Sequence, residues 1–252
     1  MSAFGYELLA SDGSINMAYG RMDISLDRFF EDALLITYRA TADQTNIPPA
    51  SGSGFISHVS REIFRAQLGW DTAKHLRWWT EAVVNPSISA QSTRNSLMNE
   101  PVITLDDRTT FRTDILHEYF VSPSRFADFV AACRDVIPAS YQQLLNITLR
   151  YVNTDRDSVL AYATEPRIAA VMLFSQEKTV RGEADMQRMT EALIERVLDI
   201  GGSYYLPYRP HARQDQFIRA YPRAPEFAAA KRRLDPGQIF RNHFWDRYLG
   251  SL

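Results

Sequence analysis

LNITLRY, residues 145–151, decides the fold. Apolar Leu145, Ile147, Leu149 and Tyr151 alternate with polar Asn146, Thr148 and Arg150. A period of two is the signature of a β-strand with one buried face. Upstream, ILHEYFV (115–121) reads as another strand, and Ser122-Pro123 offers a helix N-cap followed by proline at the first helical position. Phe126, Phe129, Val130, Cys133 and Ile137 then fall on one helical face. Downstream, IAAVMLF (168–174) is a nearly continuous apolar run that fits a central strand. Met186, Met189, Leu193 and Val197 mark an amphipathic helix closed by Gly201-Gly202, and a last strand begins over Tyr204 to Leu206. The order strand, helix, strand, strand, helix, strand across 115–206 is the split βαβ pattern of ferredoxin-like α+β folds. It predicts an antiparallel or mixed sheet with helices near 122–137 and 183–200 on one face.

The N-terminal part is less regular. Ile15 to Ile24 and Ala33 to Tyr38 read as strands, and TADQTNIPPASGSG (41–54) as a loop. Helices are expected over about 55–68, with Ile56, Val59, Ile63 and Phe64 near 3.6 spacing, and over 73–84, with Leu76 and Trp79 inward. Residues 85–113, rich in Asn, Ser, Thr and Asp, read as an extended connection.

A net charge of -2 gives no electrostatic reason to expect nucleic acid or an acidic membrane surface. Cys133 is the only cysteine, so no internal disulfide forms. No stretch approaches the roughly 20 apolar residues that span a bilayer, and no signal peptide is visible. The expectation is a soluble, cytoplasmic protein with no transmembrane segment.

None of the five histidines, at 58, 75, 117, 211 and 243, has a partner at metal-ligand spacing, so no metal is expected. There is no GxSxG, and GSG at 52–54 completes no phosphate-binding loop. Cys133, on an apolar helix face, reads as core. Asn146, Thr148 and Arg150 share one strand face, and the neighbouring strand carries Glu118. An arginine beside a carboxylate on adjacent strands can line a polar pocket; a solvated face gives the same periodicity. YYLPYRPHAR (204–213) packs three tyrosines, two prolines, two arginines and a histidine into ten residues. Such donors recognise hydroxylated or carbonyl-bearing ligands, and a polar surface turn gives the same composition.

GGSYYLPYRPHARQDQFIRAYP (201–222) and AAKRRLDPGQIFRNHF (229–244) resemble the end of FAD-linked oxidases of the vanillyl-alcohol-oxidase type, nearest the sugar-lactone (aldonolactone) and alditol oxidase group. TDILHEYFVSPSRFADFV (113–130), LLNITLRYVNTDRDSVLAYA (144–163), AYGRMDIS (18–25), IFRAQLGWDTAKHLRW (63–78) and STRNSLMNEPV (92–102) are similar to the same group. The most specific part is the tail, with Lys231, Asp235, Pro236, Phe240 and Asn242 in register.

The resemblance implies a ferredoxin-like cap domain over 1–228, with 1–112 its less regular part and 113–228 its split βαβ core. Residues 229–252 form a C-terminal tail that would pack on an FAD-binding domain lying outside this chain, a domain of about 200 residues. The cap would be the substrate-binding part of an oxidoreductase that removes hydride from a carbinol C–H of a polar, sugar-like substrate and passes it to FAD. The chain by itself would be inactive and would not retain FAD. Its implied partner is a separate FAD-binding domain or chain, or a second copy of itself. Arg150 matches the cap-strand arginine facing the substrate, while Thr148 stands where a carboxylate is common, a role open to Glu118. Tyr208 stands where such oxidases tend to carry a lysine, and with a reference pKa near ~10 it is a neutral donor at pH 7. His211, Tyr208 and Arg150 are thus the expected catalytic set, with His211 as general base. Glu118, Thr148, Tyr205 and Arg209 would bind substrate, and Asn242 would lie near the flavin. The alternatives are a non-catalytic ligand- or protein-binding module derived from such an oxidase, or a truncated product. The resemblance also implies that aromatic residues of the tail, Phe240, Phe244, Trp245 and Tyr248, lie exposed.

Overall fold

In the computed structural model the alternation at 145–151 becomes the centre of a six-stranded antiparallel sheet; residues 13–42, 44–45, 62, 64–84, 93–98, 107 and 109–252 are described. The strands are β1 (Met17–Met22), β2 (Ala33–Tyr38), β3 (Arg112–Val121), β4 (Gln143–Val152), β5 (Arg167–Glu177) and β6 (Ser203–Tyr204). They hydrogen-bond in the order β2-β1-β4-β5-β3-β6, each neighbour antiparallel. The helices are α1 (Asp71–Trp79), α2 (Arg94–Met98), α3 (Phe126–Val136), α4 (Val180–Asp199), α5 (Gln214–Ala220) and α6 (Ala224–Leu234). The chain is therefore α+β, with an open antiparallel sheet. No helix among the described residues is long and apolar enough to cross a membrane.

The core lies between one face of the sheet and the helices α3 and α4. Ile115, Tyr119, Ile147, Leu149, Ile168, Met172 and Phe174 meet Phe129 and Cys133 of α3 and Met186, Met189, Leu193 and Val197 of α4. Burying an apolar side chain of this size contributes roughly 1.5–3 kcal/mol, so this interface dominates the stability of the domain. Burial also pushes the Cys133 thiol well above its usual range, in line with a core role. Thr179 caps α4 by accepting from Gly182 N–H at 2.9 Å. At the other end Gly201, at φ 74, adopts the left-handed turn a C-terminal stop requires. Gly202 then passes so close to β3 that a Cβ would stand 2.7 Å from the Phe120 carbonyl oxygen.

Several expectations need correction. Ser122 makes no cap bond to the helix; its hydroxyl turns to Ser124, and Pro123 opens a short 3₁₀ turn before α3. β6 is only Ser203–Tyr204. Leu76 and Trp79 of α1 face outward, 63% and 53% exposed, whereas Lys74 is buried. The reason is that α1 lies over the polar side of the sheet, where Arg77 finds partners on β4. Leu145 departs from the alternation: β4 carries a β-bulge between Leu144 and Asn146, and Leu145 joins Phe64 and Leu173 in a small cluster on the cleft side. The helix expected over 55–68 lies mostly outside the described residues, as does most of the connection over 85–113, although α2 and the start of β3 fall within that connection.

The tail also differs from expectation. Trp245 and Tyr248 are buried and Phe244 is partly buried, all packed within this chain. Phe217 of α5 meets Phe244 at 5.5 Å and Tyr248 at 4.8 Å between ring centroids. Phe240 is exposed, together with its neighbours Leu234 and Ile239.

Candidate functional site

The strand register sorts the chemistry of the sheet by face. On the side away from α3 and α4, Glu118, Val171, Thr148 and Arg21 form one row across β3, β5, β4 and β1. Phe120, Ala169 and Arg150 form the next row, and Leu116, Leu173 and Asn146 the row on the other side. Over this face lies a cleft of about 1050 Å³, lined also by Arg77 of α1 and by Tyr208 and Arg209 from the segment after β6. Ala169 stands between Phe120 and Arg150, so its methyl group leaves Arg150 room to interact with Glu118 across β5.

Tyr208 shares a hydrogen bond with the Glu118 carboxylate. Burial raises the Glu118 carboxyl above its ordinary value, against the opposing pull of the Arg150 charge and the Tyr208 hydrogen bond. Burial, reinforced by the Glu118 charge, pushes the Tyr208 phenol up to about 12. Tyr208 is therefore a neutral donor at physiological pH, and Glu118 is a carboxyl group of raised proton affinity. Behind them Tyr205 packs edge-on against Tyr208 at 5.2 Å and Tyr162 at 5.5 Å, and its N–H donates to the Glu118 carbonyl at 2.9 Å. Tyr205 thus braces the segment.

Of the residues expected to form the site, Arg150, Tyr208, Glu118, Thr148 and Arg209 line the cleft together. His211 does not. It is buried on the helix side, with Nε2 2.8 Å from Glu183 Oε1 and Nδ1 3.5 Å from the Thr190 hydroxyl. Nearby His117 faces the same core, where burial pushes it down to about 3. Asn242 sits on the exposed tail and accepts from the Trp245 N–H at 2.9 Å. Among the described residues lining the cleft there is no histidine or cysteine, and its carboxyl groups are Asp107, Asp114 and Glu118. Asp114 is paired with Arg65. Burial pushes Asp107 up, but hydrogen bonds from Thr109 and the Arg65 charge outweigh it and hold the group below its ordinary value, so Glu118 is the carboxyl there whose proton affinity is raised.

Sequence reasoning missed Arg21 and Arg77. Arg21 Nη1 donates to both Asn146 Oδ1 and Thr148 Oγ1, and Arg77 Nη2 donates to the same Asn146 oxygen at 2.9 Å. Arg77 also reaches the Leu145 carbonyl at 2.8 Å, and Gln67 reaches it at 3.1 Å. The bulge makes that carbonyl accessible outside the ladder. The signal for Arg21 was its two-residue spacing from Tyr19 on a strand, which places both on one face. Asp27, Asp71 and His75 also converge, with ligand atoms within 4.8 Å. His75 Nε2 lies 2.7 Å from Asp27 Oδ1 and 3.4 Å from Asp71 Oδ2. Nothing in local spacing links Asp27 to the other two.

Searches with this chain return no matching family model and no matching curated protein.

Proposed function

We propose that this chain is the substrate-binding part of a flavin-dependent oxidoreductase that oxidises a carbinol C–H of a polar, sugar-like substrate. One observation carries the reading: Arg150, Glu118, Tyr208, Thr148 and Arg209 line a single cleft on the open face of the sheet. The strand order β4-β5-β3-β6, with α3 and α4 on the opposite face, supports a ferredoxin-like cap.

The cleft fits one part of a flavin. Arg150 and Tyr208 offer N–H and O–H donors suited to the polar edge of an isoalloxazine or to substrate hydroxyls. The described residues lining it include no glycine and hence no glycine-rich loop whose backbone N–H groups would cradle a pyrophosphate. A flavin-binding domain, on the same protein or another chain, would have to supply that grip. When bound, the flavin supplies the electron sink for hydride. Arg150 and Thr148 orient substrate hydroxyls, Tyr208 donates a hydrogen bond, and Glu118 takes the hydroxyl proton on its carboxylate. The raised proton affinity of Glu118 suits that task. The exposed apolar stretch of Leu234, Ile239 and Phe240 supplies a surface for the flavin-binding partner.

The test is reconstitution. The purified chain is expected to be colourless and to reduce no dye with sugar alcohols. With FAD and a flavin-binding domain of the sugar-oxidase type it is expected to form a yellow complex that does. Flavin retained by the chain alone near one equivalent would overturn the reading, as would failure of any such domain to form a coloured complex.

A further inference from the structure

The cleft gathers cations around Thr148, of which Arg150 also faces the Glu118 charge and Arg21 does not. Arg21 and Thr148 are direct cross-strand partners, and Arg150 lies two residues further along β4 on the same face. Arg21 and Arg150 are thus diagonal neighbours flanking Thr148, with backbone positions roughly 7–8 Å apart. Arg21 spends Nη1 on Asn146 and Thr148, both neutral. No carboxylate is paired with Arg21 among the described residues, and its Nε and Nη2 donors remain available. A second guanidinium, Arg77, backs it through the shared Asn146 oxygen while its own charge is matched by Glu81 at 2.9 Å. Asp23, the acidic residue nearest Arg21 in sequence, turns Oδ1 to the Ser25 N–H and hydroxyl. Glu118 stands three strands away along the row, about 14 Å at ~4.8 Å per strand.

Like charges held this close repel, and the arrangement is relieved when an oxyanion sits between them. Guanidinium forks match carboxylate and phosphate oxygens two at a time. We propose that Arg21 and Arg150, on either side of Thr148, bind an oxyanion on the ligand, so that the preferred ligand is an acidic polyol, a carboxylated or phosphorylated sugar. Calling that ligand the substrate rests on the flavin-linked reading above; the anion subsite itself requires no flavin.

Calorimetric titration of the full chain at low salt tests this with three probes: D-gluconate, inorganic phosphate and neutral sorbitol. Gluconate is expected to bind at least tenfold more tightly than sorbitol, with binding weakened by added sodium chloride. Phosphate binding with little gluconate binding would also support the subsite and name its group as a phosphoryl. Arg21→Gln is expected to cost about tenfold in gluconate affinity, ~1.4 kcal/mol, and to leave sorbitol unchanged. Should that variant fail to fold, Arg21→Lys keeps the charge without the fork and is expected to lose several-fold. Equal affinity for gluconate and sorbitol, no anion binding at millimolar concentration, or unchanged gluconate affinity in the folded variants would overturn the proposal. Failure to reconstitute a flavoprotein would leave these results untouched, which separates the two ideas.

Discussion

His211 and Glu183 lie 2.8 Å apart on the helix side of the sheet, only three residues beyond the Tyr208 that lines the cleft on the other. Glu183 also accepts from Arg209 at 2.7 Å and from Gln176 at 2.7 Å. The segment between β6 and α5 is therefore tethered to α4 behind the residues it presents to the cleft. Burial pushes the Glu183 carboxyl up, but hydrogen bonds from Gln176 and His211 and the nearby Arg209 charge outweigh that and hold it below its ordinary value. A depressed folded-state pKa gives stability that is present above the unfolded carboxylate value and lost as pH falls through the folded one. Glu183→Gln should lower stability at neutral pH by about 1 kcal/mol, given the partial exposure of the side chain, and Tm with it. The deficit should shrink in acid. Calorimetric melts across pH check this, and a loss independent of pH would mean that Glu183 acts through packing alone.

Arg150 is exposed and makes no hydrogen bond within the described residues, so its side chain contributes little to folding. Arg150→Ala should shift stability by no more than about 0.5 kcal/mol. In the reconstituted enzyme the same change should cut kcat/KM by tenfold or more, because the proposed function puts this group against the substrate. Parallel thermal melts and steady-state kinetics decide the matter. Comparable losses in both would mark Arg150 as a structural residue.

Glu118 behaves in the opposite sense to Glu183. Its folded-state pKa is raised chiefly by burial, so its contribution is full below the unfolded carboxylate value and is lost as pH rises through the folded one. Glu118→Gln should consequently raise Tm at neutral pH, with the gain fading in acid. The same variant should abolish turnover, since an amide accepts no proton. A variant equally stable at every pH and still active would remove Glu118 from the proton-transfer role.

How much of this was legible follows from what each signal depends on. Strand and helix order across 115–206 depends on local periodicity, and the two faces of β4 from Asn146 onward followed from it; the continuous apolar run of β5 carried no such signal. The fate of Leu145 did not follow, because a bulge is a one-residue irregularity that leaves composition unchanged. Leu76 and Trp79 were placed inward on the assumption that a helix rests on apolar surface; α1 rests instead on polar β4 side chains and on the Leu145 carbonyl. α5 and α6 went unread because α5 is short and α6, although as long as α3, buries only Ala224 and Ala228 and so shows no stripe of large apolar residues. Arg150, Thr148 and Glu118 reached the cleft because strand parity dictates their side. His211 sits in a turn, where no parity rule applies, and the tertiary packing of α4 claimed it.

The bulge at Leu145 bears on how this protein tolerates change in chain length. Leu144 and Ile147 both face the helices although three positions separate them, which an unbroken strand forbids. The extra residue works as a phase shift. Leu144 pairs with Phe174 and Asn146 with the adjacent Leu173, so Leu145 stands outside the count of the ladder. Deleting Leu145 would close β4 into one regular strand and leave Asn146, Thr148 and Arg150 on the open side and Ile147 and Leu149 in the core. The loss would fall on the Leu145 carbonyl that Arg77 and Gln67 reach, and on the small cluster with Phe64 and Leu173. The bulge is slack in the chain: a codon lost at this position is absorbed without exchanging the two faces of the sheet.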